Sequence, residues 1–229
     1  ESSEIKNLLP SAKSVVILLP DNASRDAVAA ALSLHLSFTQ LEKSATVYYP
    51  RPAIVGWSHL VGVNKLAQTL GNKNFVISLE YIEGSIEKVS YNIEGNKFNL
   101  VIEPRSGAPA FDEKKVRYSY SGFSADIIIG IGVQSPEGLG KYYLDNKPLF
   151  SEKPVVTLDH KGIAQYGKIN VSRPASAISE LTTYLMRDVG LPFTPDVASN
   201  LYDGVISGSR NFTLPSVTAD TFEAVAYLL

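Results

Sequence analysis

Short apolar runs that alternate with helical segments constrain the fold of this chain most. Residues 14–19 form an apolar run between a lysine and a proline, as a strand buried on both faces of a parallel sheet does. Residues 24–38 carry Ala, Val and Leu at helical spacing behind Ser24, a good N-cap, and residues 45–49 form a second strand-like run. This order predicts a βαβ unit with a right-handed crossover.

The same texture returns in the second half of the chain. Residues 126–131 and 155–158 are apolar runs of strand length. Gly190 ends one helical pattern and Thr218 begins another. We expect helices at residues 63–70, 137–144, 174–189, 195–206 and 218–229. The predicted fold is α/β, with a parallel sheet of about five core strands flanked by helices.

The middle of the chain has a different periodicity. Residues 74–80, 88–93, 97–102 and 116–120 alternate apolar and polar side chains, with the turn sequence Glu94-Gly95-Asn96 between two of them. We predict an antiparallel β-meander, inserted as residues 73–122 into a single domain that spans residues 1–229. Its aromatic residues are Tyr81, Tyr91, Phe98, Tyr118 and Tyr120. We expect one face to pack on the core; the alternative is an exposed sheet that mediates self-association or binds another protein.

Composition excludes several classes of protein. The net charge of −2 gives no global basic field for nucleic acid, and the absence of cysteine excludes disulfides and Cys-ligated zinc. No apolar window reaches the roughly 18 residues of a membrane span, and no signal peptide is present, so we expect a cytoplasmic protein. Because the chain starts at Glu1 and its one methionine is Met186, we expect a piece of a longer product.

Four segments resemble, in order, the motifs of the DHH phosphoesterase family. Residues 22–32 are similar to its Asn-Pro-Asp-Gly-Asp-Ala motif and the small-residue helix that follows, and residues 126–132 are similar to its second motif. Asp159-His160-Lys161 resembles the Asp-His-His signature, and residues 201–212 resemble the motif that contains Asp-Thr-Gly. Outside the meander, nearly the whole chain resembles a DHH domain of the oligoribonuclease and phosphoadenosine-phosphate phosphatase type, and more distantly RecJ.

The resemblance implies a two-metal centre that this chain has lost. Family members hold two Mn²⁺ with carboxylates and imidazoles from these motifs, and the ions deliver a hydroxide to a phosphate. Four ligand positions carry other residues here, namely Ser24, Gly132, Lys161 and Gly208. Asp26, Asp159 and His160 remain, and they are too few for two dications, so we expect no metal cofactor.

Cationic residues stand within the same motifs. Arg25, Lys161 and Arg210 replace a Gly, a His and a Gly of the family, and Ser209 replaces a Thr. Two arrangements are open. The cations neutralise Asp26 and Asp159 in place of the metals, or they form an anion-binding pocket together with Ser209.

We therefore predict a DHH-type pseudoenzyme that acts as a binding or structural and assembly module. One alternative is a nucleotide or phosphate sensor without hydrolysis. Another is residual metal-dependent hydrolysis of nucleotides or short oligonucleotides by Asp26, Asp159 and His160. The resemblance implies a substrate-binding domain after the DHH domain, and we expect this chain to lack it. Of the other histidines, we expect His35 to be partly exposed and His59 to pack or form a hydrogen bond.

Overall fold

The computed structural model describes residues 1–70, 74–121 and 125–229. Contacts within the chain divide it into two compact units, which are Glu1–Leu70 with Ser124–Leu229, and Gly71–Phe123. The predicted limits of the insertion, residues 73 and 122, lie outside the described residues. Among the described residues, no helix has both the length and the apolar character of a membrane span.

The described residues form ten strands: β1 (Ser14–Leu18), β2 (Ser44–Tyr48), β3 (Leu66–Ala67), β4 (Asn74–Ser78), β5 (Ile86–Glu94), β6 (Lys97–Pro104), β7 (Arg117–Ser121), β8 (Ile127–Ile131), β9 (Val155–Asp159) and β10 (Ile169–Ser172). They also form seven α-helices: α1 (Ser2–Leu8), α2 (Arg25–Gln40), α3 (Lys141–Asp145), α4 (Lys147–Glu152), α5 (Ile178–Val189), α6 (Pro195–Gly208) and α7 (Ala219–Leu228). Short 3-10 helices lie at Val55–Trp57, Val63–Lys65, Glu113–Lys115 and Pro136–Leu139.

The larger unit is built on a six-stranded parallel sheet in the order β10-β9-β8-β1-β2-β3. The α/β fold predicted from the sequence is confirmed. β2 lies on one side of β1, and the later strands β8, β9 and β10 lie on the other side. The strand order therefore reverses between β1 and β8, and α/β folds place ligands at the carboxyl ends of strands at such a point.

The core lies between one face of this sheet and the helices α2, α5 and α6. Alternate residues of β1, such as Val15 and Ile17, join the core cluster together with alternate residues of β8 and β9. Helix α2 is buried from Ala27 to Leu34 because it contacts the sheet as well as α5 and α6. Its run of alanines gives those neighbours room to approach closely.

The prediction of a helix at residues 63–70 is wrong. A 3-10 turn at Val63–Lys65 is followed by the short strand β3, in which Leu66 pairs with Val47 of β2. Gly62 enters this turn with a φ of +87°, a left-handed conformation that glycine adopts without strain. Pairing with the edge of β2 overrides the local helical pattern. Neither β3 nor β10 was located from the sequence, and with them the sheet has six strands where about five were predicted.

The described strands of the smaller unit do not form one continuous meander. β5 and β6 form a hairpin, and β4 pairs with β7 in a separate two-stranded antiparallel sheet. Tyr81, Tyr91, Phe98 and Tyr118 are all exposed, so the expectation that they pack on a core is wrong. The structure does not describe the side chain of Tyr120.

Candidate functional site

A cleft of about 440 Å³ opens at the carboxyl ends of β1, β8 and β9. It therefore lies beside the point where the strand order reverses. Residues that follow these three strands line it, including Asn22 and Ser24 after β1, Gly132, Gln134 and Ser135 after β8, and Asp159, His160 and Lys161 at the end of β9. Three of the segments that resemble DHH motifs thus meet in one cavity.

The N-terminus of α2 faces this cleft. Ser24 is its N-cap, as predicted, and the Ser24 side chain accepts a hydrogen bond of 3.1 Å from the backbone N–H of Ala27. The amino end of a helix carries a partial positive charge and favours anions. This wall of the cleft is therefore suited to an anionic group.

Asp26, one of the remaining family-type carboxylates, is buried and is not among the residues that line the cleft. Its carboxylate accepts the backbone N–H groups of Ile178 and Ser179, at 2.7 and 2.9 Å, and so joins α2 to the start of α5. Burial raises the pKa of Asp26 above its usual value in spite of these hydrogen bonds.

The carboxylate of Asp26 also occupies the space beside Gly208. A Cβ atom placed on Gly208 would lie 2.5 Å from Oδ2 of Asp26 and 2.6 Å from Cβ of Ala177, well inside van der Waals contact. An aspartate at position 208, which the family resemblance implies for a metal centre, cannot be added without displacing Asp26.

Asp159 is held in a similar way at the end of β9. Its carboxylate accepts three backbone N–H groups, from Lys161 at 3.0 Å, Ile163 at 2.6 Å and Ala164 at 2.9 Å. Burial would raise the pKa of Asp159, but the three hydrogen bonds outweigh burial and hold its pKa below the usual value. The carboxylate therefore organises the turn that presents His160 and Lys161 to the cleft.

Within the part of the chain that the structure describes, no group of three or more His, Asp or Glu side chains is arranged to hold a metal ion. The two family-type carboxylates already accept backbone donors. His160 lines the cleft, and its Nδ1 atom is buried without a hydrogen-bond partner among the described residues. These residues do not fit a two-metal centre.

The four candidate anion-binding residues are not brought together. Arg25 forms two hydrogen bonds with Asp203 of α6, one of them 2.6 Å from Nε to Oδ2, and does not pair with Asp26 or Asp159. Neither Lys161 nor Arg210 forms an ion pair with a described residue. The carboxylates are therefore stabilised by backbone N–H groups and not by the cations.

Ser209 and Arg210 lie beyond the cleft, at the end of α6. The buried Ser209 hydroxyl accepts the backbone N–H of Phe212 at 3.0 Å. Arg210, Asn211 and Phe212 all have positive φ angles, of 52°, 56° and 62°, so this turn holds three non-glycine residues in the left-handed region. Of the four candidates, Lys161 lines the cleft, and its side chain is exposed there.

Sequence reasoning did not identify Asp203. This residue accepts from Arg25 and also lies 3.2 Å from Nε2 of His59, which gives His59 the hydrogen-bonding role expected of it. Burial would raise the pKa of Asp203, but the bonds from Arg25 and His59 lower it below the usual value. An acidic residue between the apolar Leu201 and Val205 on a predicted helix was the available signal.

Comparisons with known proteins show a likeness of fold but no match of sequence family. No protein-family model matches the sequence, and no curated protein matches it. The fold is similar to the crystal structure of an exopolyphosphatase-related protein from Bacteroides fragilis, with a TM-score of 0.67 and 15% sequence identity. The match covers 99% of this chain and 55% of that chain. The chain therefore shares the fold of that protein, and it spans little more than half the length of that structure.

Proposed function

We propose that this chain is a DHH-type binding module that holds a phosphorylated small ligand in the cleft and does not hydrolyse it. The observation that carries the proposal is which charged groups at the cleft already have partners and which do not. Lys161 and the N-terminus of α2 are available to an anion, whereas the carboxylates that would hold metal ions are occupied by backbone donors. The likeness of fold to an exopolyphosphatase-related protein also supports a phosphorylated ligand.

The size and polarity of the cleft support a ligand of nucleotide class. Small-molecule sites occupy about 300–1,000 Å³, and this cleft measures about 440 Å³. Gln134, Ser135 and Asn22 add amide and hydroxyl groups beside Lys161. Nδ1 of His160 is a further polar atom without a partner among the described residues, and a ligand could supply one.

The absence of hydrolysis is supported by the packing around Asp26. Two dications about 3.5–4 Å apart need several anionic ligands that face a common point. Asp26 and Asp159 instead face backbone N–H groups, and the packing at Gly208 leaves no room for a further carboxylate.

Calorimetric titration tests ligand binding. Inorganic phosphate, AMP and adenosine 3′,5′-bisphosphate would be titrated into the wild type, Lys161→Ala and Lys168→Ala, at low salt. Lys168 is an exposed lysine that does not line the cleft, so it controls for net charge. We expect Lys161→Ala to weaken binding at least tenfold, about 1.4 kcal/mol, and Lys168→Ala to leave it unchanged. Absence of binding by all three ligands would refute the proposal in favour of a purely structural module.

Metal content and hydrolysis test the remaining alternative. The chain would be incubated with excess Mn²⁺, desalted and analysed by mass spectrometry, and then assayed with bis-p-nitrophenyl phosphate and dinucleotides. We expect near-zero retained metal and no turnover. One or two tightly held ions per chain, with turnover that Asp159→Asn abolishes, would show a working phosphoesterase instead.

A further inference from the structure

One face of the β5–β6 hairpin is apolar and exposed. Its cross-strand pairs join Val89 to Ile102, Tyr91 to Leu100 and Ile93 to Phe98. Tyr91 and Ile93 are each 69% exposed and Phe98 is 66% exposed. A lone two-stranded hairpin is marginally stable in water, and further strands or a packing surface are what stabilise it. The hairpin is therefore a candidate for association.

The outer edge of β6 has backbone groups free for pairing. The two-residue turn Gly95-Asn96 joins Glu94 to Lys97, and Gly95 has a φ of +59°, as the first central position of a type II′ turn requires. The residues that flank such a turn exchange both hydrogen bonds, and bonded and non-bonded pairs then alternate along the hairpin. Consequently Phe98, Leu100 and Ile102 direct their N–H and C=O groups away from β5. No other strand in the described residues pairs with this edge.

The sequence of β6 is complementary to itself when two copies run antiparallel about Leu100. In that register the outward-facing backbone of Phe98 meets that of Ile102 in the second copy, and Leu100 meets Leu100. On the opposite, polar face, Lys97 lies across from Glu103 of the second copy, and this ion pair occurs twice. Opposite charges directly across two strands favour pairing, and like charges oppose it.

We propose that the β6 edge binds a second copy of this chain in this register, which makes a four-stranded sheet from two hairpins. The apolar faces of the two hairpins then become continuous, with Phe98 beside Ile102 of the other copy. The two-fold symmetry closes the assembly at a dimer. This inference is independent of the ligand proposed for the cleft.

The edge of β5 is less suited to the same role. An antiparallel arrangement about Tyr91 would set Lys88 opposite Glu94 of a second copy, so its charges are also complementary. However, the register of the hairpin shifts between Ile86 and Lys88, where Glu87 is an extra residue on β5. Such a bulge twists an edge and disrupts its pairing, whereas β6 is regular along its length.

Light scattering coupled to size-exclusion chromatography tests the dimer and its register on the whole chain, at low salt so that the charges are little screened. We expect the wild type to have twice the 24.9 kDa mass of one chain. Lys97→Glu and Glu103→Lys should each weaken the dimer at least tenfold, because each places like charges across the edge twice. An equimolar mixture of these two variants should restore the dimer, because every Glu then meets a Lys.

The matched control is Lys88→Glu. Within the hairpin, Lys88 lies opposite Glu103, so this variant creates the same kind of like-charge contact inside one chain as the test variants do. It leaves the β6 edge unchanged, and we expect a normal dimer. A wild-type chain that stays monomeric at high concentration would overturn the proposal. So would failure of the mixed variants to associate, or loss of the dimer in Lys88→Glu but not in Lys97→Glu, which would indicate the β5 edge.

Discussion

Replacing Gly208 by alanine should destabilise the protein, although alanine normally stabilises a helix relative to glycine. At an open helical position the exchange gains about 0.5–1 kcal/mol. Here the new Cβ would lie 2.5 Å from Oδ2 of Asp26 and 2.6 Å from Cβ of Ala177. Overpacking of a core costs about 1–3 kcal/mol, and loss of a hydrogen bond to a buried carboxylate costs about 1.5–3 kcal/mol. The net loss is therefore about 1.5–5.5 kcal/mol.

Urea denaturation followed by fluorescence measures this loss in the larger unit. The chain has one tryptophan, Trp57, which is buried in the core of that unit. Gly138→Ala is the matched control, because a Cβ there would meet Cγ1 of Val133 at an ordinary 3.6 Å. We expect the control to change stability by less than about 0.5 kcal/mol.

A second substitution separates the contacts. Ala177→Gly removes the Cβ atom that lies 2.6 Å from the new methyl group, so Gly208→Ala should cost less in that background than in the wild type. If Gly208→Ala is as stable as the wild type, Asp26 does not occupy the space beside Gly208. A carboxylate at position 208 could then be added without displacing Asp26.

Further predictions concern the carboxylates of Asp159, Asp203 and Asp26. Asp159→Asn should cost about 1–3 kcal/mol at pH 7, because an amide cannot accept all three backbone N–H groups. The pKa of Asp159 is lowered in the folded state, so its contribution to stability is complete above the usual pKa of about 4 and is lost as the pH falls through the folded pKa. In urea denaturation, the difference in stability between the wild type and Asp159→Asn should therefore be smaller at pH 3 than at pH 7. Asp203→Asn should show the same direction of pH dependence. At pH 7 the double variant with Arg25→Ala should lose no more stability than Asp203→Asn alone, because both substitutions remove the same ion pair. Asp26→Asn should have the opposite pH dependence, since burial raises the pKa of Asp26 and wild-type stability is reduced as the pH rises from about 4 through the folded pKa. Equal pH slopes for Asp26→Asn and Asp159→Asn would contradict these assignments.

Much of the fold could be predicted because strands and helices impose local periods. The apolar runs at β1, β8 and β9 and the helical spacing of α2 depend on neighbours along the chain. The exceptions have nonlocal causes. β3 forms because residues 66 and 67 pair with β2, and β4 pairs with β7 across the intervening hairpin.

The candidate site likewise has features that follow from local patterns and features that depend on nonlocal contacts. Sequence placed Ser24, Gly132, Asp159, His160 and Lys161 at the ends of successive strands, and in a parallel sheet those ends meet at one edge, so these residues line one cleft. The sequence could not show which acidic side chain pairs with which basic side chain or backbone N–H group.

The sequence by itself therefore determined the order of the elements and the edge of the sheet where the motifs converge. Only the tertiary structure decided that Arg25 pairs with Asp203, 178 positions away, and that Asp26 accepts from residues more than 150 positions away. Hydrogen bonds and close packing depend on distances of a few ångströms. Such distances between remote segments are set by how helices pack on the sheet, and no local pattern in the chain contains them.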